Sequence, residues 1–495
     1  MITLTIFPVN LSCFSSFVTV LVSYHSPRSS YFFCRDHIIT NFFLLSGVIM
    51  RFLKNRLFTG TLILTAAGFS SRILGFFYRM FLSQTFGEEK MGIYQLLTPI
   101  IVLSYSLAVS GIETSVSKYV AECGDVRSTP LRPVILKTGI FFSLSMSILT
   151  GFFLFEYADP ISVHFLLEKR CAGLIRIYAI SLPLSAIHGC INGYYFGLKK
   201  TGLPAFSQLL EQLMRIITVF FLCRQMLSKG SMPSIAIAAV GLVVGELSSA
   251  VFCLFFIWFQ NRKVHPFPSA SSLPQVAILR KILLLSLPLT MNRLILNLFH
   301  SIESVSIPNR LLLSGLSGSD ALSLYGVLTG MALPLILVPS TLTNSLSVLL
   351  LPYISEADSL NRTNRIISAF RKCVFGCLAL GVACGIFFYA TGNLIGTLLF
   401  HSEKAGVLIR ALSFLCPFLY LGNVLTSILH GLGKAGSAFA IQLLTLSIRL
   451  LFVFFSIPLL GIRGYLLGLF FSQLVFCFLI FIALREYLYY NKNVL

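Results

Sequence analysis

The sequence predicts an all-α, polytopic membrane protein of about twelve transmembrane helices, set in two six-helix lobes related by a pseudo-two-fold axis along the membrane normal. Three observations carry this. The chain is 56% hydrophobic and only 11% charged, with a mean hydropathy of +0.88, well above that of a soluble protein. Long apolar segments recur between short polar breaks, near residues 57–82, 91–117, 134–156, 172–197, 204–226, 233–259, 281–304, 321–347, 372–391, 406–430, 438–458 and 464–484. Each is long enough to cross, since ~20 residues at ~1.5 Å rise span the hydrocarbon core. Finally, the second half repeats the first.

Residues 1–49 stand apart. They are apolar in patches, but the first basic residue is Arg28, so the charged start of a secretory signal is missing. Met50-Arg51-Phe52-Leu53-Lys54-Asn55-Arg56 reads as a cytoplasmic lead-in, which makes Met50 the expected biological start. Residues 50–265 are then the N-lobe and 266–495 the C-lobe. An even number of spans puts both ends on one side. One alternate set of connections, with the tails, holds most of the lysines and arginines (Arg51, Lys54, Lys118, Lys199, Lys200, Arg371, Lys434, Arg485), and the opposite set holds few (Lys90, Arg170, Lys404). The positive-inside rule therefore places both termini in the cytoplasm. The formal charge of +20 is explained by this topology and implies no nucleic-acid partner. Twelve cysteines are scattered without metal spacing and read as buried thiols, the close pair Cys373 and Cys377 included. No metal and no cofactor is indicated.

The repeat has a constant offset. Pro183, Gly197, Leu198, Lys200, Gly202, Gln208 and Arg215 recur as Pro417, Gly431, Leu432, Lys434, Gly436, Gln442 and Arg449, each 234 residues on. Tyr119 to Glu122 maps onto Tyr353 to Glu356 at the same offset, and Tyr94, Leu97 and Thr98 map onto Tyr325, Leu328 and Thr329 at 231. Six helices per copy is even, so the copies share orientation; such halves enclose a central site and rock about it. The GLKKTG and GLGKAG loops are cytoplasmic Gly/Lys turns.

Segment 1 carries Arg72 and Arg79 within an apolar span. Thr65, Gly68, Arg72, Gly75, Arg79 and Ser83 share one helical face. A mid-membrane charge costs a few kcal/mol even on lenient scales, so both arginines are expected to face a cavity or partner; the competing reading is that Arg79, near the helix end, snorkels to the interface. Segment 7 opens the second copy with its own stripe of Ser286, Thr290, Arg293, Asn297, His300 and Ser304. Arginines from the two opening helices, facing one another, would form a basic cavity for a phosphate or pyrophosphate, to which the planar guanidinium fork is suited. Glu113 on segment 2 either pairs with an arginine or carries a coupling proton. Glu211 and Arg215, four apart, are expected to bridge along their helix, and Arg449 repeats Arg215. His300 reads as a hydrogen-bonded buried histidine or a proton relay. Pro99, Pro183, Pro288, Pro334 and Pro417 mark kinks or hinges.

The stretches KNRLFTGTLILTAAGFSSRILGFFYRMFLSQTFGEEKMGIYQLLTP, SGIETSVSKYVAE, GYYFGLKKTGLPAFSQLLEQLMRI and LPYISEA resemble the stage V sporulation protein B group, within the multidrug/oligosaccharidyl-lipid/polysaccharide (MOP) flippase superfamily, over most of residues 50–484. The resemblance implies a MATE/MOP-like two-lobed fold with a central cavity. It also implies alternating access on undecaprenyl-pyrophosphate-linked sugar precursors of peptidoglycan, in sporulating bacteria for the spore cortex. Arg72, Arg79 and Arg293 would then grip the pyrophosphate, with Glu113, Asn297, His300, Arg215 and Arg449 as cavity-lining or coupling candidates, and a proton gradient or the membrane potential as the driving force. Relatives often have two further helices after the twelfth, a stretch the resemblance does not cover here. A cation or drug antiporter of the same fold would want acids in the cavity, which segment 1 lacks. A membrane-embedded glycosyltransferase or ligase would want a large outer loop rich in acids, whereas the connections here offer only Asp159, Glu168, Asp320 and Glu403. A non-transporting sporulation assembly factor would leave the paired intramembrane arginines without a use.

Overall fold

The computed structural model describes residues 56–123, 131–261, 275–360 and 362–493. The extension 1–49, the start at Met50 and the lobe boundary at 265 lie outside them. The chain divides after Thr59, and the residues from Gly60 onward form one compact unit. No strand occurs among the described residues.

The helices are α1 (Arg56–Phe86), α2 (Glu88–Glu122), α3 (Arg132–Glu156), α4 (Cys171–Ala179 and Ser181–Gly197, bent by 45°), α5 (Gly202–Ser228) and α6 (Ala236–Asn261). After the connection come α7 (Gln275–Leu313), α8 (Gly318–Ile336), α9 (Ser340–Ser359), α10 (Thr363–Phe400), α11 (Glu403–Gly431), α12 (Ala435–Leu460) and α13 (Ile462–Asn493). Ten of the described helices are long and apolar enough to cross a membrane, or eleven with the bent pair α4 counted as one span. Phenylalanines such as Phe141, Phe152, Phe375 and Phe455 stand on their outer faces, which suits lipid.

The predicted segment 321–347 is interrupted. α8 stops at Ile336 and α9 begins at Ser340, because Pro339 cannot extend the preceding ladder. Other prolines behave as breaks too: Pro99 and Pro417 sit in first turns after interruptions, and Pro183 follows the α4 bend. Pro288 lies inside α7.

Each opening helix crosses to the opposite half. α1 reaches α8 and α10, with Ser83 Oγ 3.4 Å from Met331 Sδ, Gln84 Nε2 donating to the Leu399 carbonyl at 2.7 Å and Phe76 edge-on to Phe400. α7 packs on α2 of the first half and on α12 of the second. The start of α2 meets α8 with no side chain between: a Cβ on Gly326 would lie 2.4 Å from the Glu88 carbonyl oxygen and 2.5 Å from the Gly92 nitrogen. Only glycine permits that approach. Close by, Lys404 Nζ is 3.5 Å from Glu88, Ser323 Oγ donates to Glu88, and Arg170 bridges Glu89 at 2.7 Å and Glu168 at 2.8 Å.

The two Gly/Lys turns share one geometry. Lys200 N donates to the Tyr195 carbonyl and Lys434 N to the Leu429 carbonyl, both at 2.9 Å. The residue in the left-handed region is Lys199 (φ 57°) in the first turn and Gly433 (φ 71°) in the second, again 234 apart.

Candidate functional site

On the polar face of α1, a Cβ on Gly75 would sit in ordinary contact with Gln212 Nε2 of α5, at 3.5 Å. One turn on, Arg79 enters a cavity of about 260 Å³ walled by α1, α2, α4, α5 and α6, with Tyr78, Tyr94, Gln212, Arg215 and Glu246 in its lining. Arg79 Nη1 donates to the Thr329 carbonyl of α8 at 3.4 Å. Among the described residues no carboxylate lies within ion-pair distance of Arg79, Arg72 or Arg293. The Tyr78 side chain is 5% exposed, yet its hydroxyl has no hydrogen-bond partner.

Arg215 pairs through Nη2 with Glu211, one turn back on α5, and its Nε is buried without a hydrogen bond. Glu246 of α6 turns Oε2 toward His188 Nδ1 of α4, 3.5 Å away. Arg79 and Arg215 are thus brought together, and the remaining candidates lie outside this lining. Arg72 donates to Thr341 Oγ1 at 3.4 Å; with the Asn344 amide oxygen turned to it, that oxygen accepts from Nη1 at 3.0 Å and Nη2 at 3.2 Å. Arg293 donates to the Ser110 carbonyl at 3.0 Å and to its hydroxyl, and Asn297 donates to Ser106 Oγ at 2.6 Å. Arg72 and Arg293 therefore make matching bonds, each from the opening helix of one half to a helix of the other. Glu113 accepts from the Tyr105 hydroxyl at 3.0 Å. His300 and Arg449 close on Glu303: Arg449 Nε is 2.8 Å, the Tyr465 hydroxyl 2.9 Å and His300 Nδ1 3.5 Å from its carboxylate.

Sequence reasoning passed over His188 and Tyr78 and gave Glu246 no role. A histidine in the middle of an apolar span, with Asn192 one turn later, was the available signal, since an intramembrane ionisable group is functional by default. Outside the spans, the Arg170 hydrogen bond holds the Glu168 carboxyl below its ordinary value of 4.5 and raises the guanidinium in turn.

Residues 57–358 match the family of polysaccharide biosynthesis proteins. Among curated proteins, the stage V sporulation protein B of Bacillus subtilis is 31% identical, over 83% of this chain and 80% of its own length. The lipid II flippase MurJ of the same organism is 22% identical, over 90% and 85%. Among solved structures, an inward-facing multidrug resistance MATE family transporter of the MOP superfamily superposes with a TM-score of 0.64 at 15% identity, over 85% of this chain and 96% of that one. The chain is therefore a multi-pass, all-α membrane protein with a MATE/MOP-like fold, and it belongs to the polysaccharide biosynthesis protein family.

Proposed function

We propose that this protein is a flippase, not an enzyme, which moves an undecaprenyl-pyrophosphate-linked saccharide of the lipid II kind across the cytoplasmic membrane by alternating access. In this reading it serves spore-cortex or wall peptidoglycan synthesis, has both termini in the cytoplasm and draws on a proton gradient or the membrane potential. The observation that carries it is Arg79: a guanidinium inside a walled cavity, with one long bond to a carbonyl and no counter-ion among the described residues. Its remaining donors suit a diphosphate. Arg72 and Arg293 extend the grip from the crossings between the halves, where rocking would break and remake their bonds.

In proteoliposomes loaded with labelled lipid-linked precursor, Arg79→Ala is expected to lower translocation by roughly 10–100-fold, the worth of a lost charge-assisted pair. Arg79→Lys retains part of the rate, and Arg72→Ala and Arg293→Ala fall between. Wild-type rates in all three alanine variants, at normal membrane abundance, remove the anion grip. Glu246 in the same lining favours one second reading, a cation antiporter; accumulation of a cationic dye that is lost in Glu246→Gln, with no precursor movement, would select it.

A further inference from the structure

His188, Glu211 and Glu246 come from three consecutive helices, α4, α5 and α6, and one donor atom from each lies within 4.8 Å of the other two. We propose that these three side chains form a site for one divalent transition-metal cation beside the cavity, whose lining includes Glu246, with a coordination position left open. The His188 Nδ1 to Glu246 Oε2 separation of 3.5 Å is close to that of two ligands ~2.0–2.1 Å from a tetrahedral ion, and three protein ligands with a vacant fourth position is the usual form of a reactive zinc site. Imidazole with carboxylates suits zinc or manganese; magnesium and calcium want oxygen throughout.

A second observation points to a ligand. Glu246 Oε2 is fully buried, accepts no hydrogen bond, and faces the imidazole. A carboxylate oxygen in that position lacks the compensation burial demands, which a bound cation supplies. The ring is also fixed in orientation, with the Asn192 amide 2.6 Å and Ser207 Oγ 3.4 Å from its Nε2.

Charge balance gives the site a purpose. Arg79 and Arg215 are matched by Glu211 and Glu246, so these four groups together present no net charge to an anion. A divalent cation on the carboxylates makes the wall positive and draws Glu211 off Arg215, which frees a guanidinium. The site belongs to the cavity of the proposed transport reading, but it stands on donor geometry and is tested without transport.

The test is equilibrium dialysis of the full-length protein in detergent, purified through a tag free of histidine, against Zn2+ and separately Mn2+, with bound metal counted by mass spectrometry. Wild type is expected to hold one equivalent more than His188→Gln or Glu246→Gln. Glu403→Gln, far along the chain at the start of α11, keeps the full equivalent. A thermal scan guards against misfolded variants: Zn2+ raises the melting temperature of wild type with concentration, and that rise is lost in Glu246→Gln. A wild type that takes up no more metal than Glu246→Gln, or shows no Zn2+-dependent rise, overturns the site and leaves the carboxylates to protons. Neither result bears on whether the precursor is flipped.

Discussion

Arg215 in α5 and Arg449 in α12 occupy the same position of the repeat, 234 residues apart, yet their surroundings differ. In the second half a carboxylate from the opening helix, Glu303, meets Arg449 at 2.8 Å and is itself 7% exposed, with Tyr465 and His300 completing the closure. At the offset of 231 that holds around Tyr94 and Tyr325, the counterpart of Glu303 on α1 is Arg72, a base where the other copy has an acid. The first half must find its counter-charge elsewhere and takes it from Glu211, whose repeat mate is Thr445. One copy thus locks its arginine in a packed cluster, and the other leaves it on the edge of a cavity. The sign of one residue on the opening helix sets an arginine closed in a cluster apart from one that lines a cavity.

Three measurements break or sharpen this contrast. The largest effect is expected from Glu303→Gln, which strands Arg449 in a buried place; breaking such a pair costs about 3–5 kcal/mol and should show as a lowered melting temperature and reduced membrane abundance. Glu211→Gln leaves Arg215 beside a cavity rather than inside a packed cluster, and should cost less. Equal damage from both would erase the distinction between the halves. Next comes Gly326→Ala, whose methyl group must push α2 from α8; about 1–3 kcal/mol of overpacking is expected in thermal unfolding, and an unchanged transition would mean the crossing is not tight. The smallest effect concerns the Arg170 cluster. Its hydrogen bond depresses Glu168, so the stabilisation is complete above the ordinary carboxylate value of 4.5 and is lost as pH falls through the lower folded value. Arg170→Ala should therefore lower the melting temperature slightly at pH 7 and remove part of the acid dependence; an exposed pair is worth at most about 1 kcal/mol.

Much of the fold was legible because hydropathy reads the middle of a span directly. The ends were not: segment 281–304 is the core of Gln275–Leu313, and 372–391 that of Thr363–Phe400, since the helices continue through polar turns beyond the apolar window. The break between α8 and α9 is carried by a single proline and is invisible to a composition average. Within the site, Arg79 and Arg215 were legible as charges out of place, and the Glu211 bridge from its spacing of four. His188 with Glu246 was not, because nothing along the chain shows that residues 58 apart on different helices face each other. Glu303 shows the converse: its partner Arg449 was visible as a repeat position, but the pairing required the packing of α7 on α12.

The turns that close α4 and α11 carry a lesson about how a duplicated chain diverges. Lys199 holds a torsion that disfavours a side-chain-bearing residue by roughly 1–2 kcal/mol, while its mate Gly433 adopts it freely. A letter-by-letter alignment scores that pair as a loss of similarity. Compared by dihedral angle the pair is nearly unchanged, so common descent is better preserved here in backbone shape than in residue identity.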